Sequence, residues 1–396
     1  MDSKRQRRAA ALWAIALVFV ARAAAAQQTV SDVLSFLMTN QAVVTSDFVK
    51  DRQAAEATRD TIFRLVQVEL GALPISSSSG GFIYTFNPSL GTLERASDSF
   101  GPTFVERALT SGRGQTAFSL TYRHYRFDTL DGQSLKDGGF VTTANRLAAE
   151  TQPFDVERLR LRIAADTVTI FGSYGVTDRL DVGAAVPIVD LRLSGDRVNT
   201  YRGTTFQQAT GSAAVTGIAD VAVRAKYHFL QTDVAGVAVH SELRLPTGAA
   251  DQFLGAGRAA IALAAITSLE RDRIGAHLKA GFTKGGASDA VDYGAALVVA
   301  AAPHFNIEGE VFGHRLSALS TIGTATVAHP LIPHVETTRL LPVSTGTNTM
   351  LGLAGCKWNI ARTWLLSANV LFPLTDEGLT GRPTPSIALD YTFDRR

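Results

Sequence analysis

Charged and ionisable residues occupy every second position in several stretches of this chain. Arg224 and Lys226 alternate with apolar residues in one stretch, and His240, Glu242 and Arg244 alternate with small or apolar residues in the next. Successive side chains of a β-strand point to opposite faces, so each stretch is predicted to be a strand with one charged and one apolar face. Side chains of these types can pair as ions or set the charge selectivity of a pore.

A short polar break at residues 231–233 separates the two stretches, which predicts that they form a hairpin. Two registers bring opposite charges face to face. One places Arg224 opposite Glu242, and the other places Asp220 opposite Arg244. Either register would pair groups that are otherwise costly to bury.

The same unit, two alternating runs and a tight turn followed by a longer polar loop, recurs from residue 80 to the C-terminus. Fourteen strands are predicted, with twelve as the alternative because the first two, Phe82–Phe86 and Phe100–Glu106, are short and poorly patterned. An even number of antiparallel strands with this layout is typical of a transmembrane barrel. The predicted fold class is therefore all-β: a closed antiparallel transmembrane β-barrel with an N-terminal helical segment.

Polar side chains on the predicted inner faces are the candidates for lining the barrel lumen. They are Arg158, Arg160, Arg162, Arg224, Lys226, His240, Glu242, Arg244, His277, Lys279, Glu308 and Glu310. Charge rings of this kind set selectivity in pores. If the charges pair across strands instead, they fill a narrow lumen and have a structural role.

The connections predict the orientation of the barrel. Short turns such as Gly175–Asp178 alternate with longer loops such as 131–155, and outer-membrane barrels have short periplasmic turns and long extracellular loops. Aromatic residues gather beside the short turns, including Trp358 and Trp364, as expected of rings at the headgroup level. Both chain ends are therefore predicted to lie in the periplasm.

The N-terminus has the pattern of an export signal: basic residues, an apolar run over residues 9–21, and Ala24-Ala25-Ala26 as a cleavage site. The predicted organisation is a signal peptide at residues 1–26, a helical segment at 27–79 and a barrel at 80–396. The signal carries five of the 38 basic residues and one of the 36 acidic ones, which leaves 33 against 35. A mature chain with this balance lacks the basic excess that nucleic-acid binding requires.

Between residues 29 and 71, apolar residues recur at helical spacing, which predicts one broken or two consecutive amphipathic helices. The candidate plug residues on the apolar stripe are Phe36, Leu37, Phe63, Val66 and Leu70. The stripe must be covered by something. Either the helices plug the lumen or they pack on the periplasmic rim of the barrel.

Turn and hairpin motifs connect the chain with a known group of proteins. They are Phe86-Asn87-Pro88, Ser99-Phe100-Gly101-Pro102, Glu106-Arg107-Ala108-Leu109-Thr110, the run from Tyr174 to Gly183, Arg224-Ala225-Lys226-Tyr227 and the run from Leu243 to Gly248. Over most of residues 80–396 the chain resembles the MetA-pathway phenol-degradation transporter family of outer-membrane channels. The resemblance implies an architecture distantly like the long-chain fatty acid channel, and uptake of aromatic or other hydrophobic small molecules.

No metal site, cofactor or catalytic motif is predicted. His329 and His334 share a loop in which Glu336 is the only other potential ligand at suitable spacing. No nucleophile or nucleotide motif stands in the strand-turn-helix context that it requires. The strand histidines with a clear face are all predicted to point into the lumen, which argues against a lipid-facing Ser-His pair; they are His228, His240, His277 and His314.

The sequence thus predicts an outer-membrane channel or transporter for hydrophobic or aromatic small molecules, not an enzyme. Its expected partners are outer-membrane lipid, those small molecules and the barrel-assembly machinery, but no nucleic acid. The alternative is a non-transporting outer-membrane barrel with a structural or binding role carried by loops 131–155 and 316–346.

Overall fold

The computed structural model describes residues 28–39, 59–68, 77, 81, 84–87, 92–95 and 99–393 except 233, 330–331 and 362. In this part of the chain, twelve strands pair with antiparallel neighbours in a single ring. In chain order they are β1 (Thr116–Leu130), β2 (Asp155–Gly175), β3 (Leu180–Tyr201), β4 (Val221–Gln231), β5 (Ala235–Leu245), β6 (Ala260–Arg271), β7 (Ile274–Gly285), β8 (Ala290–Ala302), β9 (Phe305–Ala328), β10 (Val335–Ala361), β11 (Trp364–Pro373) and β12 (Thr384–Phe393).

The ring closes where β12 pairs with β1, from Thr116 opposite Phe393 to Arg123 opposite Ser386. The predicted closed barrel is therefore confirmed, with twelve strands, the alternative count, and not fourteen. The two extra strands were wrong for different reasons. Tyr84–Asn87 pairs with Thr92–Arg95 in a separate two-stranded sheet, and residues 100–106 run inside the barrel without joining the sheet.

Several strands continue well beyond the length that crosses a bilayer, which is about 9–11 residues. At 21, 22, 24 and 27 residues, β2, β3, β9 and β10 extend the wall on the side of the long loops. Additional strands complete this extension: Phe140–Leu147 joins β2 to β10, and Thr204–Ile218 pairs with the upper part of β3. The barrel therefore has a tall collar on the side of its long loops, which is the extracellular side in outer-membrane barrels.

In the lower half of the barrel, apolar side chains point outward and polar ones inward. Leu120, Ile170, Val223 and Leu278 are exposed on the outer surface, although each side chain is apolar. Aromatic rings cluster beside the short turns, as predicted; the rings of Trp364 and Tyr391 lie 4.7 Å apart between centroids. This outer surface matches an apolar band with an aromatic girdle in a bilayer.

Two helices are described in the N-terminal segment, α1 (Val30–Thr39) and α2 (59–68). Thr29 caps α1, because its hydroxyl accepts a hydrogen bond from the Asp32 amide at 3.0 Å while the Asp32 carboxylate accepts one from the Thr29 amide at 3.1 Å. Neither helix has the length and apolarity needed to cross a membrane. Residues 1–27, including the predicted signal peptide, lie outside the described residues.

The helices lie inside the collar and not at the periplasmic rim, so that alternative was wrong. α1 contacts β3, the strand Thr204–Ile218 and the short 3-10 helix Ala250–Gln252. Gly195 and Gly211 permit this approach: a Cβ at Gly195 would lie 2.8 Å from the Leu37 side chain, and one at Gly211 would lie 3.1 Å from Val33. Apolar residues of both helices and of the inner collar wall form one buried core.

The apolar outer face and the polar inner face of the membrane-spanning strands lead to a stability prediction. We expect Val223→Arg to lower the free energy of unfolding by roughly 2–4 kcal/mol, since Val223 faces outward on β4 near the middle of the apolar band. Ala262→Arg on β6 should cost less, because residue 262 faces the interior opposite Glu242. Urea titration followed by heat-modifiable gel mobility measures both. Equal losses would contradict the assignment of faces.

Candidate functional site in the barrel lumen

A single irregular stretch with several bends, residues 99–111, occupies the periplasmic half of the interior; we call it the lumen segment. Every residue of the lumen segment is buried. Its amides cannot pair within a sheet, so the barrel wall must supply their hydrogen-bond partners. The wall side chains that supply these partners are therefore the first candidates for functional residues in the lumen.

Glu310 on β9 holds the middle of the lumen segment. Its carboxylate accepts hydrogen bonds from the backbone amides of Thr103, Phe104 and Val105 at 2.5 to 3.1 Å. On the same strand, Glu308 accepts a hydrogen bond from the Thr103 hydroxyl at 2.5 Å. Charge-assisted bonds of this kind are about twice as strong as neutral ones. Glu310 therefore acts as a clamp on three consecutive peptide groups.

Other wall residues fix the two ends of the lumen segment. Lys357 on β10 donates to the Gly101 carbonyl at 2.6 Å, and Lys226 on β4 donates to the Arg107 carbonyl at 3.2 Å. At the lower end, Asp181 accepts from the Ser111 amide at 2.8 Å. Strands from opposite sides of the barrel thus hold one chain segment between them.

The hairpin formed by β4 and β5 adopts the first of the two predicted registers, with Arg224 opposite Glu242. The Arg224 Nε lies 2.6 Å from Glu242, which also accepts from the Arg244 Nε at 2.5 Å. Glu106 of the lumen segment extends this network, 3.4 Å from the Lys226 Nζ and 3.6 Å from Arg224. Asp220 instead accepts hydrogen bonds from loop amides.

Nine of the twelve candidate lumen residues project into the interior. They are Arg224, Lys226, His240, Glu242, Arg244, His277, Lys279, Glu308 and Glu310. The other three, Arg158, Arg160 and Arg162, face outward, and that part of the prediction was wrong. They lie on the collar, above the apolar outer band, so charged side chains face out while Leu159 and Leu161 pack inward against the helices.

The candidate plug residues have different positions. Leu37 and Val66 are fully buried in the collar core, and Phe63 is half-buried with its ring edge-on to Phe253 at 4.5 Å. Phe36 is 43% exposed, so it contributes little to that core. Leu70 lies outside the described residues.

The long loop between β5 and β6, residues 246–259, fastens both helices. The Val30 amide donates to Gln252 at 3.2 Å, and the Gln67 side chain donates to the Gly255 carbonyl at 2.8 Å. From β3, the buried Arg197 donates to the Met38 carbonyl at the end of α1 and pairs with Glu157. A buried arginine among leucines gave no signal in the alternation, so this contact was not predicted.

The four histidines predicted to face inward do so; for example, His228 hydrogen-bonds Thr110 and His314 hydrogen-bonds Thr349. A further strand histidine, His124, was overlooked. It faces outward on β1, with its Nδ1 2.7 Å from Asp166.

A cavity of about 200 Å³ lies between the helices and the lumen segment. α2 forms one end through Gln67 and Val68, and the lumen segment forms the other through Phe104, Val105 and Glu106. The side wall combines aromatic, small and charged groups, among them Tyr125, Phe312, Ala262, His240, Arg244 and Lys279. Across the described chain, no three potential metal ligands come together.

A closed twelve-stranded ring with an apolar outer band and a polar interior defines an outer-membrane β-barrel. The sequence profile of a family described as the putative MetA-pathway of phenol degradation matches residues 131–311, which confirms the resemblance over those residues. The match contains the motifs of β2 to β5 but not those of the lumen segment. No curated protein matches the sequence.

Solved structures with a similar backbone include several outer-membrane proteins. An outer membrane channel from Pseudomonas putida F1 aligns at 13% identity over 72% of this chain and 98% of that one, with a TM-score of 0.46. The KdgM porin aligns at 7% identity over 70% and 99%, with a TM-score of 0.36. The translocator domain of autotransporter NalP from Neisseria meningitidis aligns at 10% identity over 72% and 89%, with a TM-score of 0.31. At these TM-scores, the similarities add nothing to the fold established by strand pairing.

The Glu310 clamp generates a prediction about local stability. In Glu310→Gln, an amide replaces a carboxylate that accepts from three amides, so we expect hydrogen exchange at residues 103–105 to accelerate at least about tenfold. Exchange measured by mass spectrometry on the reconstituted protein checks this. Glu336→Gln is the matched control, because Glu336 pairs with Arg146 on the collar and does not touch the lumen segment. Unchanged exchange in Glu310→Gln would show that Glu310 does not hold the segment.

Proposed function

We propose that this barrel is a gated passage for small hydrophobic or aromatic molecules across the outer membrane. The observation that carries the proposal is the cavity of about 200 Å³ that lies between the helices and the lumen segment and reaches the loop residues Gly285, Gly286 and Ser288. An open porin would need no such chamber. A barrel with a purely structural role would have no reason to leave a space between two parts of its filling.

The size and lining of the cavity support an aromatic occupant. A cavity of about 150 Å³ with apolar walls is large enough to hold benzene. Here Phe104, Tyr125 and Phe312 supply ring surfaces, while Ala262 leaves room beside them. The family match, which concerns phenol degradation, favours the same class of molecule.

Polar groups in the same wall favour an aromatic molecule that carries a hydroxyl or another polar substituent. His240 lines this cavity, and its buried Nε2 atom has no hydrogen-bond partner among the described residues. In a neutral imidazole, a ring nitrogen of this kind either donates or accepts one hydrogen bond. Lys279 adds a cation to the wall. A ligand hydroxyl placed beside His240 would satisfy its Nε2 atom.

Passage requires both obstructions to move, and they differ physically. On the extracellular side, the helices are held chiefly by apolar packing inside the collar and by loop 246–259. On the periplasmic side, the lumen segment is held by charged hydrogen bonds, above all those of Glu310. We propose that Leu37, Val66 and Phe63 act as the extracellular plug, and that the lumen segment is a second plug.

The alternative role, a non-transporting barrel, draws on one specific observation. Arg224, Glu242 and Arg244 form a continuous buried network with Glu106, as expected if charges only fill the lumen. The two roles differ in whether a ligand can occupy the cavity and whether the lumen can conduct.

Cavity occupation can be tested with a photoactivatable phenol, one that bears a diazirine, and mapping of the labelled residues by mass spectrometry. We expect the label on Phe104 and Phe312 in the wild-type protein, and its loss in Ala262→Trp because the indole fills the cavity. Ala265→Trp, at an exposed position on the same strand, should keep the label. Equal labelling in both variants, or no label within the lumen of the wild type, would contradict the proposed passage.

Conductance in planar bilayers tests the two plugs together. Removing residues 27–71 alone should leave conductance low, because the lumen segment still obstructs the periplasmic half, and Glu310→Gln alone should leave it low because the helices remain. The combined variant should conduct ions far better than either. Near-zero conductance in the combined variant, folded as judged by heat-modifiable mobility, would favour the structural alternative.

A further inference from the structure

The outward face of β1, β2 and β3 changes character at the upper edge of the apolar band. Below the edge lie exposed apolar residues such as Leu120 and Ile170. Tyr122 stands at the edge itself, and its hydroxyl donates to Asp166 at 2.7 Å. Arg126 is four residues farther along β1, about 14 Å by the strand rise. This region of the surface is therefore at the level of lipid headgroups in the extracellular leaflet.

Arginines gather on this face; we call Arg126, Arg158, Arg160, Arg162 and Arg192 the outer-face arginine cluster. Ala164 on β2 pairs with Arg126 of the neighbouring strand β1 on one side and with Arg192 of β3 on the other. Neighbouring strands are about 4.8 Å apart, so the two arginine backbones lie roughly 10 Å apart with a small side chain between them. Arg162 precedes Ala164 by two residues on the same face of β2, which places it farther toward the long loops.

The cluster is only partly neutralised by carboxylates. Arg160 pairs with Asp196 at 2.5 Å, and Arg192 pairs with Asp166 at 3.3 Å and with Asp190. Within the described residues, Arg126, Arg158 and Arg162 have no carboxylate within ion-pairing distance. Three aspartates pair with Arg160 and Arg192, and Asp128 beside Arg126 pairs with Arg382, so the guanidinium groups of Arg126 and Arg162 remain exposed without an ion-pair partner among the described residues.

From this placement, we infer that the outer-face arginine cluster binds the phosphate of a phosphorylated glycolipid in the extracellular leaflet, whose acyl chains lie on the apolar surface below. Guanidinium groups recognise phosphate in a bidentate geometry, which favours arginine over lysine at such a site. Basic residues at the membrane surface attract anionic headgroups in the same way. The position beside the apolar band favours a lipid over a soluble anion, because the lipid can use both surfaces at once.

Several groups face this site from the adjoining strands. His124 and Asp166 lie in the row below the arginines, and Asp190 and Thr216 continue that row around the barrel. Asp166 already accepts from Tyr122, His124 and Arg192. The carboxylate of Asp166 is thus already hydrogen-bonded to neighbouring donors. We expect the phosphate on the long-loop side of this row, between Arg126, Arg162 and Arg192.

The test uses full-length folded protein in mild detergent and labelled lipid A that carries both phosphates. We expect the triple variant Arg126→Ala, Arg162→Ala, Arg192→Ala to bind roughly 100-fold more weakly than the wild type, since a loss of roughly fivefold at each of three surface arginines multiplies to about that factor. The triple lysine variant keeps the charges and should lose less. Arg315→Ala, at an exposed outward position on β9 away from the cluster, should bind as the wild type does.

Two further arms use the wild-type protein, so they decide the matter even if the triple variant fails to fold. Lipid A without its phosphates should bind much more weakly than the phosphorylated form, and inorganic phosphate should not displace labelled lipid A at concentrations where unlabelled lipid A does. Equal affinity for both forms of lipid A would overturn the inference. So would unchanged binding in a folded triple variant, or displacement by inorganic phosphate as effective as that by the lipid.

Discussion

Closure of the strand ring is the constraint on which the rest of this structure depends. Hydrocarbon offers no partner for a peptide group, so a sheet can lie in a bilayer only if its first and last strands pair. The pairing of β12 with β1, from Phe393 to Ser386, meets that requirement. Once the ring is closed, the inner face of every strand surrounds a shared space, and the side chains there must satisfy one another or an inserted segment.

The interior meets this requirement in two ways at two levels. Within the membrane, where the wall is polar, the lumen segment is held by carboxylates and lysines that bind its peptide groups, as Glu310 and Lys357 do. Within the collar, where the wall is apolar, amphipathic helices fill the space through packing of residues such as Leu37 and Val66. Glu310 leaves no amide of residues 103–105 without an acceptor. The cavity lies between the two levels, where neither the lumen segment nor the helices fill the interior completely.

Along a single strand, the polarity of the outward and inward side chains reverses between the membrane-spanning part and the collar. On β2, the outward face carries Ile170 in the apolar band, Asp166 at its edge and Arg162 above it, while the inward face passes from Thr169 to Ile163 and Leu161. The solvent outside changes from lipid to water along this path, and the side chains change with it. The collar is thus built like a soluble sheet around a helical core, on the same strands that form a membrane wall below.

The sequence by itself determined the class of fold and most of the inward charges, because period-two alternation is a local property of each strand. It also contained the two helices, whose caps and apolar spacing are local as well. Strand count depended on tertiary structure, since residues 100–106 have the composition of a strand but satisfy their amides with wall side chains. The outward direction of Arg158, Arg160 and Arg162 was likewise undecided, because alternation tells two faces apart without saying which one meets water. That choice depends on where the bilayer ends and what fills the barrel, and only the assembled ring sets both.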